Sequence, residues 1–93
     1  MNRNTVYDYL KSKGMYGIFV WADNRKSYHT EFRLNNGQGD CWIYFDWGYI
    51  RHVESIHLCQ KEMVIESKYS DMKVNVFYKD IKNFEVKIAL DED

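Results

Sequence analysis

The segment Cys41-Trp42-Ile43-Tyr44-Phe45-Asp46-Trp47 decides the fold, because its side chains alternate along a strand. Neighbouring side chains of a β-strand point to opposite faces of the sheet. Trp42 and Tyr44 therefore lie on one face, and the apolar Ile43 and Phe45 lie on the other. The glycine that follows is expected to turn the chain into a returning strand. The pattern predicts an antiparallel strand whose aromatic side would be turned away from the core in a single-layer sheet.

Similar strand-forming segments occur on both sides of this one. The predicted strands cover residues 16–22, 27–34, 41–47, 49–59, 63–68, 72–78 and 84–90, with a helical turn or a bulge at 79–81. Polar connections of hairpin length join them, and consecutive strands joined in this way are antiparallel. We therefore expect a meander of six to seven strands that curls, either into a partly closed barrel or around a helix.

The N-terminal segment predicts the helix. Asn4 or Thr5 is expected to cap a helix over residues 4–13, and Gly14 to end it. Its apolar face carries Val6, Tyr9 and Leu10. Such a short helix is unstable alone and must pack on the sheet. The predicted fold is α+β, a short N-terminal helix packed on a curled antiparallel sheet, in a single domain over residues 1–93.

Composition and charge restrict the classes of partner. The chain has 93 residues, 45% of them hydrophobic and 29% charged, which is typical of a globular domain. Its 13 Lys and Arg residues are balanced by 14 Asp and Glu residues, so nucleic acid is not an expected partner. There is no stretch of roughly 20 apolar residues, so no membrane contact is expected. We expect a bacterial cytoplasmic location, with Cys41 and Cys59 as free thiols.

Metal and cofactor sites are not predicted. His52 and His57 are separated by an odd number of residues, so a regular strand places them on opposite faces. Cys59 shares a face with His57, which still provides only two ligands. Phosphate-binding, nucleophile-elbow and EF-hand motifs are absent. We therefore expect neither a cofactor nor a metal site.

One strand carries three side chains that suit acid–base chemistry. Strand alternation places His29, Glu31 and Arg33 on the same face. There they could act as the acid, the base and the phosphate-binding group of a metal-independent ribonuclease. A solvated strand face with opposite charges in a row explains the same pattern. The ribonuclease is therefore the less favoured hypothesis, and the chain is expected not to be an enzyme.

The aromatic content is the feature that points to function. Aromatic residues form 17% of the chain, and Trp42, Tyr44, Trp47 and Tyr49 are close together in sequence, with Trp21 expected near them. The helix could cover these rings, or they could form an exposed protein-binding patch, or they could stack on bases. The three interpretations place the same side chains in a core, an interface or a ligand site.

A binding protein is the favoured function. The chain has the Asn-, Lys-, Asp- and Tyr-rich composition of small accessory proteins of low-GC bacteria and their phages. We expect a stoichiometric inhibitor of another macromolecule, of the anti-defence (for example anti-CRISPR) or immunity type. The predicted partner-binding residues are Trp42, Tyr44, Trp47, Tyr49, Asp46 and Arg51. The alternative is a sponge-like protein that binds a small molecule or nucleotide among these aromatics, and the patch could also form a homodimer.

Overall fold

The computed structural model describes residues 1–22, 27–33, 39–69, 71 and 73–89. Their elements are α1 (Arg3–Ser12), β1 (Tyr16–Ala22), β2 (Ser27–Arg33), β3 (Asp40–Phe45), β4 (Gly48–Ile50), β5 (Val53–Leu58), β6 (Glu62–Ser67), β7 (Lys73–Phe77), a 3₁₀ turn (Tyr78–Asp80) and β8 (Phe84–Ala89). One N-terminal helix followed by antiparallel strands confirms the predicted α+β class. The predicted turn at 23–26 and most of the predicted loop at 35–40 lie outside the described residues.

The strands form two open antiparallel sheets. Five strands form one sheet in the order β1-β2-β5-β6-β7, and three form the other in the order β4-β3-β8. The sequence pattern predicted six to seven strands in one sheet. The described residues contain eight, because the predicted strand at 49–59 is two strands that belong to different sheets. Hairpin-length connections give the local pairing, but they do not reveal this division.

His52 lies at the point where the chain passes from one sheet to the other. Its φ of 53° is in the left-handed region, which non-glycine residues adopt in only a few per cent of cases, with Asn, Asp and His the most frequent among them. The imidazole Nδ1 lies 3.1 Å from a carboxylate oxygen of Asp40, and the carbonyl of His52 accepts a hydrogen bond from the backbone N–H of Lys68. These contacts hold a backbone conformation that separates β4 from β5.

The helix begins earlier than the sequence pattern predicted. The side-chain oxygen of Asn2 accepts a hydrogen bond from the backbone N–H of Thr5 at 2.9 Å, which makes Asn2 the cap. The prediction of Asn4 or Thr5 as the cap is wrong, since both lie inside the first turn. Gly14 has a φ of 81° directly after the helix, which confirms the predicted stop. Within the described residues, no helix has the length and apolar character needed to cross a membrane.

The helix contacts both sheets from its buried side. Val6 and Leu10 are fully buried in a core that takes residues from both sheets. The ring of Tyr7 packs edge-on against Phe32 of β2, with centroids 5.4 Å apart. Tyr9 packs against β8, where its hydroxyl accepts a hydrogen bond from the backbone N–H of Val86 at 2.9 Å. The helix therefore joins the two sheets and leaves the opposite face of the three-stranded sheet to other contacts.

Candidate binding surface

The three-stranded sheet has one buried face and one aromatic face. Cys41 and Ile43 of β3 are fully buried, whereas Tyr44 is 37% exposed, so the predicted alternation is confirmed. On the outward side, the β3–β8 ladder places Trp42 opposite Lys87, and the β3–β4 ladder places Tyr44 opposite Tyr49. The register of the sheet thus brings aromatic and cationic side chains from three strands together.

Aromatic rings and cations contact one another on this face. The ring centroids of Tyr44 and Tyr49 are 5.8 Å apart, and Tyr49 is 57% exposed. The guanidinium carbon of Arg51 lies 6.0 Å from the ring centroid of the half-buried Trp42. The ammonium group of Lys87 lies 5.3 Å from the ring centroid of Tyr44. We call this set the aromatic face: Trp42, Tyr44, Tyr49, Arg51 and Lys87.

The cation contacts have a physical consequence for the face. A cation over an aromatic ring is attracted by the negative potential of the ring face, by about 0.5–1 kcal/mol at exposed sites. Arg51 and Lys87 therefore have a preferred position beside Trp42 and Tyr44. A surface whose side chains are already positioned loses less conformational entropy when a partner binds.

Trp47 and Asp46 belong to the end of the β3–β4 hairpin. Trp47 is 61% exposed and stacks on Phe45, with centroids 4.9 Å apart and the planes 8° from parallel. Phe45 points to the core side, so Trp47 lies away from the ring pair of Tyr44 and Tyr49. A carboxylate oxygen of Asp46 accepts a hydrogen bond from the backbone N–H of Asn83 at 2.7 Å. The sequence grouped these two residues with the aromatic face, but the fold places them at its border.

Trp47 and Asp46 are followed by a glycine that allows the tight hairpin. Gly48 has a φ of 152°, within the region that favours glycine, and it pairs with Phe45 in the ladder. The turn therefore brings Tyr49 back beside Tyr44. The predicted neighbour Trp21 belongs to β1, and its side chain lies outside the described residues.

The outward side of the five-stranded sheet carries a polar cluster. Arg33 forms an ion pair with Glu31. The hydrogen bond that Arg33 Nε donates to the carboxylate of Glu31, and the negative charge of that carboxylate, raise the pKa of Arg33 above its usual value. Glu31 also lies opposite His57 in the β2–β5 ladder. The side chain of His29, the third member of the predicted set, lies outside the described residues.

His57 belongs to the same polar cluster, and its neighbours Ser55 and Glu66 were not identified from the sequence pattern. The imidazole Nε2 of His57 lies 3.2 Å from the hydroxyl of Ser55 and 3.6 Å from a carboxylate oxygen of Glu66. Lys73 Nζ lies 3.3 Å from the same oxygen of Glu66. Ser55 is fully buried beneath these side chains, so its hydroxyl cannot reach a substrate as a nucleophile. These side chains form a network of polar contacts on the outward side of the five-stranded sheet.

Burial and ion pairing act in opposite directions on Glu66. Burial favours the neutral acid, but the hydrogen bond with Lys73 and the charge of His57 favour the carboxylate. The net result is a lowered pKa for Glu66. The carboxylate is therefore held in its charged form by its neighbours.

His52 and His57 each lie beside a carboxylate, that of Asp40 and that of Glu66 respectively. No three His, Cys, Asp or Glu side chains within the described ranges come together as a metal site. Neither Cys41 nor Cys59 forms a disulfide. Burial, followed by the nearby carboxylate of Asp40, raises the pKa of the Cys41 thiol to about 12. Cys41 is therefore a protonated core side chain.

Comparison of the chain with models of protein families, with curated proteins and with solved structures finds no match.

Proposed function

We propose that this chain is a non-enzymatic binding protein whose aromatic face docks on another protein. The observation that carries the proposal is the outward ring pair of Tyr44 and Tyr49, with exposed fractions of 37% and 57%. Tyrosine and tryptophan dominate the binding energy of protein interfaces, and grouped exposed aromatics mark such sites. Half-buried Trp42 provides the adjoining ring that a partner side chain would contact.

The charges on this surface indicate the chemistry of the partner. Arg51 and Lys87 are exposed cations that lie over aromatic rings. Asp46, by contrast, is engaged with the backbone of Asn83. Glu85, opposite Tyr44, lies on the same side of β8 as Lys87, and Asp40, two residues before Trp42 in β3, lies beside His52. We expect a partner surface that combines apolar groups with carboxylates at its border.

The biological role we propose is stoichiometric inhibition inside a bacterial cell. The composition of the chain is typical of phage and mobile-element accessory proteins. An anti-defence or immunity protein acts by occupying a surface of its target. Such a role requires no cofactor and no catalytic group on the aromatic face.

Capture of the partner from an extract of the host bacterium tests the proposal. Immobilised wild-type chain should retain one protein at near-equal stoichiometry, and Tyr44→Thr/Tyr49→Thr should not. Tyr69→Thr is the matched control, since Tyr69 is 79% exposed but belongs to the segment after β6. Retention should also fall as salt is raised, because Arg51 and Lys87 are exposed.

Two results would contradict this function. Equal retention by wild type and the tyrosine variant would remove the aromatic face from the interface. Self-association of the purified wild type that is lost in the same variant, measured by sedimentation, would mean that a second copy of the chain occupies the face. The proposed partner is a different protein, so either result rejects it.

A further inference from the structure

We infer that the cleft at the N-terminal end of α1 binds a phosphate ester of nucleotide size that carries a ring. This site shares no residue with the aromatic face and goes beyond the proposed function. The cleft has a volume of about 740 Å³ and lies between the start of the helix, the β5–β6 turn and the end of β7. Pockets for small organic ligands have volumes of roughly 300–1,000 Å³.

The charge of the cleft indicates an anionic ligand. Arg3, Lys61 and Lys79 line it, and none of the described residues that line it is Asp or Glu. The ion pairs formed by described residues do not include any of these three cations. Three cations that share a concave surface without a carboxylate repel one another, and a bound phosphate would relieve that repulsion. We call the cleft lined by Arg3, Lys61 and Lys79 the cationic cleft.

Arg3 is fixed at the base of the cleft by neutral acceptors. Its Nε donates to the carbonyl of Leu58 at 3.4 Å, and its Nη2 donates to the hydroxyl of Thr30 at 3.3 Å. A guanidinium carries more N–H donors than these two bonds use, and its planar fork matches phosphate oxygens. The two bonds orient the group without neutralising its charge. Arg3 is therefore positioned in advance for an anion.

The walls of the cleft are tied together by hydrogen bonds. The backbone N–H of Tyr78 donates to the carbonyl of Lys61 at 3.3 Å, and the hydroxyl of Tyr78 donates to the carbonyl of Cys59 at 2.7 Å. These bonds join the end of β7 to the β5–β6 turn. Two of the segments that border the cleft are therefore held together by the fold.

An aromatic ring beside the cations indicates the second part of the ligand. Phe77 is 47% exposed and lines the cleft, and the ammonium group of Lys79 lies 5.8 Å from its ring centroid. A base or other flat ring that stacks on Phe77 would have its phosphate within reach of Lys79. The amide side chains of Asn2 and Gln60 line the same cleft and offer both donors and acceptors to polar ring substituents. A phosphate ester with a planar ring uses all of these groups.

Calorimetric titration of the purified chain with AMP, adenosine and inorganic pyrophosphate tests the inference. AMP should bind, and adenosine should bind at least about tenfold more weakly because it lacks the charge-assisted contacts. Pyrophosphate should compete with AMP. Lys61→Gln/Lys79→Gln should weaken AMP binding about tenfold or more, and Lys11→Gln/Lys82→Gln, which removes the same charge elsewhere, should not. Phe77→Thr should weaken AMP but leave pyrophosphate unchanged.

Several results would overturn the inference. AMP that fails to bind at millimolar concentration, or that binds as adenosine does, would exclude a phosphate site. Equal loss in both double-lysine variants would mean that net charge alone attracts AMP. Binding of a single-stranded oligonucleotide through Lys61 and Lys79 in the absence of AMP binding would assign the cleft to nucleic acid instead. The free energy of unfolding, measured on the same variants, shows whether a variant that has lost its heat of AMP binding is still folded.

Discussion

Tyr44 and Tyr49 lie directly opposite each other in the β3–β4 ladder, with their ring centroids 5.8 Å apart and tilted by 35°. A cross-strand aromatic pair contributes about 0.2–1 kcal/mol to a sheet. The pair faces outward, so neither ring fills the core. Replacing the two side chains should therefore lower the free energy of unfolding only slightly, and both rings are accessible to a partner.

The hydroxyl of Tyr9 connects the helix to the three-stranded sheet, and its removal should destabilise the fold. Tyr9→Phe leaves the backbone N–H of buried Val86 without its acceptor, which should lower the free energy of unfolding by about 1–2 kcal/mol. Urea denaturation measures the change. Tyr7→Phe is the matched control, since Tyr7 contacts Phe32 through its ring, and its loss should stay below about 0.5 kcal/mol. Equal losses in both variants would contradict this role of Tyr9.

The left-handed backbone of His52 should tolerate asparagine and resist valine. His52→Asn and His52→Val both remove the imidazole that faces Asp40, but only the β-branched residue opposes a φ of 53°. We expect the valine variant to be less stable than the asparagine variant by about 1–3 kcal/mol in thermal or urea unfolding. Equal stabilities would mean that the backbone conformation at the junction of β4 and β5 is relaxed in solution.

Cys41 should not react with thiol reagents until the chain unfolds. With its pKa raised to about 12, only about one Cys41 thiol in ten thousand is ionised at pH 8, and the side chain is also fully buried. In a Cys59→Ser background, Ellman's reagent should therefore modify Cys41 at the rate of unfolding. In a Cys41→Ala background, half-buried Cys59 should react in the native state. Rapid native modification of Cys41 would show that the core around it opens.

Glu66 should contribute to the acid sensitivity of the fold. Its pKa is lower in the folded chain than the ordinary value of about 4.5, so the folded state binds this proton less readily than the unfolded state. The stabilisation is complete above pH 4.5 and is lost as the pH falls through the folded pKa. Unfolding measured between pH 6 and 3 should lose less stability in Glu66→Gln than in wild type. Glu85→Gln, an exposed strand glutamate, should follow the wild type.

The sequence predicted local structure far better than it predicted which strands are neighbours. The alternation of side chains located β3 correctly, because buried and outward residues such as Ile43 and Tyr44 alternate along the whole strand. It could not show that β8 lies beside β3, and so Lys87, which alternates in its own strand, was missed as a member of the aromatic face. Pairing between distant segments depends on the closure of the whole core, which a single strand pattern does not contain.

The strand pattern also did not show where Trp47 and Asp46 lie relative to the aromatic face. Trp47 and Asp46 follow Tyr44 in sequence, but the hairpin turn at Gly48 ends the alternation and directs Trp47 toward Phe45. The network of Ser55 and Glu66 was invisible because it depends on the register between β5 and β6. A local pattern determines which face a residue takes within its strand, whereas the register between strands determines what it meets there.

The affinity of the captured partner for the tyrosine variant is the most direct measure of the central claim, provided that stability is measured on the same sample. Tyr44→Thr/Tyr49→Thr should raise the Kd by about 100-fold or more, as expected when two aromatic hot spots are lost. The free energy of unfolding should fall by less than about 1.5 kcal/mol, because both rings are exposed. An unchanged Kd in a variant that remains folded would contradict the account.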